Sequence, residues 1–195
     1  MTQTIIEIPN ALGLNFSSKI ENIISSLRFP WYYLDEITYV KTDELFEGSD
    51  GIPTFGFSHL LYDIETKYES DKLDFIFPVA LLLSDLFGKE IVELLRIKTN
   101  LLLNIRNNKP NKAHIDYNIP HWTMLYYVND SDGDTIFYDS KNGKETKRCS
   151  PQKGKAVLFD GLIYHSSSCP IQNNKRIILN INFRGSEHCQ TEVNL

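Results

Sequence analysis

The stretch AHIDYNIPHWTMLYYVND, beginning at Ala113, carries a histidine and an aspartate two residues apart, His114 and Asp116. On extended backbone such a pair projects to one side, roughly 6–7 Å apart along the chain. A metal held there needs a third donor from another strand. Of the five histidines, His165, in FDGLIYHSSSC, lies in a later β-prone run and is the natural candidate. Two imidazoles and one carboxylate on one face of a metal suit Fe(II), because three adjacent positions stay open for substrate and oxygen. A lone H-x-D fits a loop histidine and a turn aspartate equally well, so the motif needs support from elsewhere in the chain.

That support begins eleven residues after His165, where Arg176 opens the run RIILNINFR. Alternation puts Arg176, Ile178, Asn180 and Asn182 on one face of a strand and Ile177, Leu179, Ile181 and Phe183 on the other. The second face is wholly apolar and is expected to lie under helices. The first carries an arginine and two asparagines, which a core tolerates only if something polar binds there. A buried guanidinium needs an anion, and its fork matches a carboxylate. The competing reading is an edge strand with this face in water.

The elements that must hold these residues fall into two textures. IIEI near the start reads as a strand, and 17–27 as a helix with Ser17 and Ser18 as cap candidates and Ile20, Ile23, Ile24 and Leu27 on one face. Phe29-Pro30-Trp31 stops it. GSDGIPT (48–54) is turn material, FGFSHLLYDI a strand, and 78–95 one or two apolar helices with Pro78 in a first turn. From about Arg96 short β-prone runs alternate with polar, Gly- and Asn-rich breaks, as in an all-β sandwich or barrel, and Asn142-Gly143 marks a hairpin. A length of 195 residues fits one domain. The expected organisation is a helical or mixed support region over 1–95, a β core over 96–184 and a tail over 185–195.

Composition narrows the function. A net charge of −5 without long Lys/Arg runs gives no strong nucleic-acid signal. The apolar runs are too short to span a membrane. Three cysteines, Cys149, Cys169 and Cys189, with no C-x-x-C pair, and no signal peptide, lead to the expectation of a reducing, cytoplasmic setting and no zinc site. There is no G-x-S-x-G, P-loop or dinucleotide fingerprint to compete with the metal hypothesis.

Taken together, H-I-D (114–116), T-M-L-Y-Y-V-N (123–129), D-G-D-T-I-F (132–137), P-Q-K-G-K-A-V-L-F-D (151–160), His165 and Arg176 resemble the iron- and 2-oxoglutarate-dependent dioxygenases, closest to their prolyl-4-hydroxylase-like branch. The resemblance covers roughly residues 96–184, and D-G-D-T departs from the branch's commoner G-G-E-T turn. It implies a mainly β (α+β) fold, a double-stranded β-helix (jelly roll) with N-terminal supporting helices. It implies Fe(II) on His114, Asp116 and His165, and 2-oxoglutarate with its distal carboxylate on Arg176 and a hydrogen bond from Tyr127. Asn180, with Asn182, is a weaker candidate for the cofactor shell. The reaction implied is hydroxylation of a C–H bond in a peptidyl or small-molecule substrate by O2, with decarboxylation of 2-oxoglutarate to succinate and ascorbate as reductant. Two alternatives stay open: a non-catalytic metal- or carbohydrate-binding jelly roll, and a nucleic-acid alkyl-lesion demethylase of the same superfamily. Arg176 speaks against the first, and acidic charge with the His165–Arg176 spacing against the second.

Other residues receive plainer expectations. His121 reads as a surface-loop or rim histidine, His59 as a satisfied structural one, and His188 as part of a poorly ordered tail. Trp31, Tyr32 and Tyr33 read as aromatic core packing, and Asp160 as a turn residue. Loops 28–60 and 106–122 are expected to carry substrate choice.

Overall fold

A computed structural model describes residues 4–38, 51–52 and 54–189. Most of the turn segment 48–54 therefore lies outside the described residues, as do parts of the loop 28–60. In chain order the elements are β1 (Ile5–Ile8), α1 (Leu14–Ile24), β2 (Tyr32–Leu34), β3 (Gly56–Asp63), β4 (Tyr68–Glu69), α2 (Leu73–Phe87), β5 (Glu93–Leu103), β6 (Trp122–Tyr127), β7 (Thr135–Tyr138), β8 (Glu145–Cys149), β9 (Ala156–Asp160), β10 (His165–Ser167), β11 (Lys175–Arg184) and α3 (Ser186–Cys189).

The β-prone runs pair into two antiparallel sheets. The major sheet has the order β1-β9-β6-β11-β5-β3-β2, with β4 beside β3; the minor one has the order β10-β7-β8. Together they form the jelly roll, and the Asn142-Gly143 hairpin joins β7 to β8. Strand β11 sits between β6 and β5 and is not an edge. Its apolar face, Ile177 to Phe183, packs with Ile20 and Ile24 of α1 and Ile76, Val79, Ala80 and Leu83 of α2, as the alternation predicts. Between the sheets lies a second apolar cluster that includes Leu125, Tyr127, Phe137, Val157, Phe159 and Ile178. The large sheet is thus covered by helices on one face and by the small sheet on the other. The polar face of β11 points into the space between the sheets.

Several expectations about the N-terminal half are corrected. Helix α1 begins at Leu14, not at residue 17, with Gly13 at its N-cap. Ser17 lies inside it, and its hydroxyl donates back to the Gly13 carbonyl at 2.8 Å rather than capping free N–H groups. Helix α2 starts at Leu73, so Pro78 is inside it, and it ends at Gly88 in the left-handed conformation. Residues from Glu93 onward, read as helical, belong to β5, where their carbonyl and amide groups pair with β11. Tyr32 and Tyr33 are exposed at 58% and 57%, on the terminal strand of the sheet, and do not join the core. Only Trp31 of that trio packs against it. The first residues of the tail form α3, where Arg184 donates to the His188 carbonyl and the His188 ring lies 5.5 Å from Trp122.

Candidate active site

His114 is not part of a strand but forms an isolated bridge with His165. Each residue's N–H donates to the other's carbonyl at 2.9 Å. That bridge seats the first histidine beside the end of the small sheet and brings the two rings to a centroid distance of 4.6 Å. Each ring has its Nδ1 on a backbone carbonyl: His114 on Lys112 at 3.2 Å and His165 on Ile163 at 3.0 Å. A carbonyl only accepts, so Nδ1 carries the proton in both rings and Nε2 keeps its lone pair free. The His165 Nε2 lies 3.8 Å from Asp116 Oδ2. One donor atom from each of His114, Asp116 and His165 lies within 4.8 Å of the others, the only such cluster among the described residues. Orientation by backbone carbonyls and mutual proximity are what a metal-binding set requires.

The electrostatics match. Burial, with the second imidazole adding, holds His114 down to about 3, and burial lowers His165 also. Both rings are therefore neutral, the form that ligates. Burial alone would raise Asp116, but the charges of Arg96 and Lys98 outweigh it and keep the carboxyl well below its usual range. The carboxylate is held on both oxygens. Arg96 donates to Oδ1, while Asn182 and Asn180 donate to Oδ2 at 3.0 and 3.2 Å. Asn182 also donates to Thr123 Oγ1 at 3.0 Å, and that hydroxyl lies 3.3 Å from His121 Nε2. His121 is fully buried, with its Nδ1 on the Ile119 carbonyl at 2.7 Å. The expectation of a surface or rim histidine is therefore wrong. This ring ends a buried chain of hydrogen bonds running His121, Thr123, Asn182, Asp116. It is packed so closely on Gly161 that a Cβ there would fall 2.1 Å from its Nε2. His59 is structural as expected, buried and 2.8 Å from Ser70 Oγ. Asp160 serves its turn by accepting the Leu162 amide at 2.9 Å.

Arg176 is 2% exposed and lines the same cavity as His114, His165 and Asn180. Its Nε donates to the Gly133 carbonyl at 2.7 Å and its Nη2 to Thr135 Oγ1 at 2.8 Å. Both acceptors are neutral, so the guanidinium has no carboxylate partner among the described residues. Tyr127 faces the same space: its hydroxyl donates to Thr135 Oγ1 at 2.8 Å and its ring lies 5.8 Å from the guanidinium. Tyr126 points the other way and donates to Ser17 of α1 at 2.9 Å. Asp132 explains the D-G-D-T turn, because its carboxylate accepts the amides of Ile171, Gln172 and Asn173. It thereby fixes the neighbouring loop against Gly133.

Sequence reasoning missed the contribution of β5. Arg96, Lys98 and Asn100 alternate along it and pair across from Asn182, Asn180 and Ile178. They therefore share the inward polar face.

A jelly roll with two imidazoles and a carboxylate converging beside a buried arginine defines a class of mononuclear metal oxygenase sites. Residues 101–184 match the sequence model of the 2OG-Fe(II) oxygenase superfamily. That segment holds His114, Asp116, His165, Tyr127, Arg176 and Asn180. A search of curated proteins finds no significant match. Among solved structures, the chain is similar to a 2OG-Fe(II) oxygenase family oxidoreductase from Burkholderia pseudomallei. Identity is 12% and the TM-score 0.64, over 92% of this chain and 85% of that one. It is also similar to a prolyl hydroxylase from Trichoplax adhaerens, solved with a hypoxia inducible factor peptide fragment (16%, TM-score 0.59, covering 92% and 83%). A third is HygX from Streptomyces hygroscopicus, solved with nickel and 2-oxoglutarate bound (12%, TM-score 0.58, covering 95% and 84%). At these identities the likeness is one of fold. The family match and the donor set together point to iron(II) and 2-oxoglutarate as the cofactors and to an oxidoreductase. No helix among the described residues is long and apolar enough to cross a membrane.

Proposed function

We propose that the protein is a 2-oxoglutarate-dependent dioxygenase that hydroxylates a C–H bond of a peptidyl or small-molecule substrate. In this reading His114, Asp116 and His165 hold Fe(II), and Arg176 receives the distal carboxylate of 2-oxoglutarate beside Tyr127. When bound, the iron and cosubstrate supply the oxidising chemistry, with 2-oxoglutarate decarboxylated to succinate and one oxygen atom entering the substrate. The protein's own part is placement. The backbone carbonyls of Lys112 and Ile163 fix both imidazoles with Nε2 inward. Arg96 and the two asparagines hold the carboxylate so that one oxygen can turn to the metal while the other stays bonded. Gly133 and Thr135 hold the guanidinium fork in one orientation.

The observation that carries the reading is the pairing of the three converging donors with a buried arginine, in the cavity that His114 and His165 line, that bonds to no carboxylate among the described residues. A metal-binding module without turnover has no need of that arginine, and burying it unpaired is costly. The test is to supply Fe(II), ascorbate and 2-oxoglutarate and measure succinate, alongside anaerobic binding of 2-oxoglutarate. Succinate above the protein-free control is expected even without primary substrate. Absence of both succinate formation and 2-oxoglutarate binding would sink the proposal. The neighbours' ligands include a peptide in one case and, in another HygX structure, hygromycin B. Both substrate classes therefore remain within it.

A further inference from the structure

The cavity contains a second cation that the reading above does not use. Lys98, on β5, lines it together with Asn100, His114, His165, Asn180 and Arg176. Among the described residues Lys98 makes no hydrogen bond and no ion pair. The nearby acid, Asp116, is already occupied by Arg96, Asn180 and Asn182. The register places Lys98 opposite Asn180, at the end of the cavity where the three metal donors converge. Arg176 pairs with Leu102, four residues further along β5. Their Cα positions are therefore separated by roughly 13 Å along the strands. Among the described residues the cavity thus has a cation toward each end, and neither is hydrogen-bonded to a carboxylate.

A lysine that served only packing would carry its ammonium out to water. Lys98 is half-buried and lines the cavity, where burial, with Arg96 adding and Asp116 opposing, lowers it to about 8. Desolvating the ammonium costs free energy that Asp116, already held by three other donors, offsets in part and an incoming anion would offset further.

We infer that Lys98 forms a second carboxylate-binding subsite at the metal end of the cavity, separate from the one at Arg176. The proposal rests on the oxygenase reading of the site. Two ligands can bring this carboxylate: 2-oxoglutarate itself, through the carboxylate next to its keto group, or the primary substrate. In the second case the substrate is a carboxylic acid.

The experiment uses the full chain loaded with Mn(II) under anaerobic conditions, as wild type and as Lys98→Gln and Lys98→Arg. Binding is measured by calorimetry for Mn(II) alone, for 2-oxoglutarate, and for 2-oxovalerate, the same keto acid without the distal carboxylate. A panel of simple monocarboxylates is then titrated into the Mn(II)–2-oxoglutarate complex. If the cosubstrate is the source, Lys98→Gln weakens both keto acids by the same factor. That factor is about tenfold or more, the usual range for a lost charge-assisted bond. If the substrate is the source, keto-acid affinity holds and monocarboxylate binding is lost. In either case Lys98→Arg restores most of the effect, and Mn(II) affinity does not fall in Lys98→Gln. Removing an unpaired buried charge should leave the melting temperature level or higher, so loss of fold is not expected. Keto-acid and monocarboxylate affinities both within twofold of wild type would overturn the subsite alone. A wild type that binds no 2-oxoglutarate would overturn the oxygenase reading and this inference with it.

Discussion

Replacing Arg176 by methionine removes the guanidinium while keeping a long apolar stem. In the structure this guanidinium uses its Nε on Gly133 and its Nη2 on Thr135, which leaves donors of the fork for the cavity. The proposed partner is the distal carboxylate of 2-oxoglutarate. Breaking a buried, hydrogen-bonded charge pair costs about 3–5 kcal/mol, or on the order of 10²–10⁴ in Kd. The cost to the fold should be smaller. Thr135 Oγ1 keeps the Tyr127 hydroxyl as a donor, so the Gly133 carbonyl is the main group left unpaired, worth about 1–3 kcal/mol. Arg176→Lys keeps the charge but not the fork and should fall between, at about tenfold weaker binding. The assay is anaerobic titration of the Mn(II)-loaded protein with 2-oxoglutarate and with 2-oxovalerate. The penalty should appear for 2-oxoglutarate and be absent for 2-oxovalerate, which has no distal carboxylate to lose. Arg176→Met binding 2-oxoglutarate within threefold of wild type, with its melting curve intact, would refute the reasoning and move the clamp elsewhere.

Two further outcomes follow from the same geometry. Gly133→Ala puts a Cβ 2.5 Å from the Ser168 carbonyl and 3.0 Å from Arg176 Cδ, so the turn that holds Arg176 must shift. We expect about 1–3 kcal/mol of lost stability in urea unfolding and a roughly tenfold rise in the 2-oxoglutarate Kd, because small misplacements of a positioning group are expensive. Unchanged affinity would show that the Gly133 contact does not orient the guanidinium. Glu7, on β1, lies 2.8 Å from Lys147 and 3.1 Å from Lys155. Burial alone would raise its carboxyl, but those lysines outweigh it and bring it from 4.5 to about 2. A lowered carboxyl stabilises the fold above its unfolded value, and that contribution fades as pH falls from 4.5 toward 2. Glu7→Gln should therefore cost about 1 kcal/mol at neutral pH, with the gap closing in acid, read from urea midpoints at both ends. A gap independent of pH would mean that packing, not charge, is lost.

The parts of this site that could be read from the sequence are those whose evidence lies within one strand. Strand β11 declares itself by strict alternation, with Ile177, Leu179, Ile181 and Phe183 against Arg176, Asn180 and Asn182, and the structure gives each set the face that pattern demands. His114, Asp116 and His165 could be ordered along the chain. Their convergence depends on a single bridge between His114 and His165 that no periodicity signals, because AHID forms no ladder of its own.

What stayed hidden needed knowledge of the neighbour across the sheet. Strand β5 reads ELLRIKTNLLL, with leucines at both ends on consecutive positions, so its alternation has no clear phase. Only its register with β11 shows that Arg96, Lys98 and Asn100 share the inner face with Asn182 and Asn180. His121 misleads for a related reason. Its local sequence, YNIPHW, is a loop sequence by every local rule, and the residue is buried because Gly161, forty positions later, presents a surface with no side chain. The same logic separates the two lysines and arginines that look alike in the sequence. Arg184 and Lys89 pair with acids at the surface, whereas Lys98 and Arg176 face a cavity that offers them none. A cation's role here is set by which acid the fold leaves within its reach, and that is decided by strand pairing. Lys98 and Arg176 make no ion pair among the described residues, and in the proposed reading the ligand's carboxylates supply the matching negative charge.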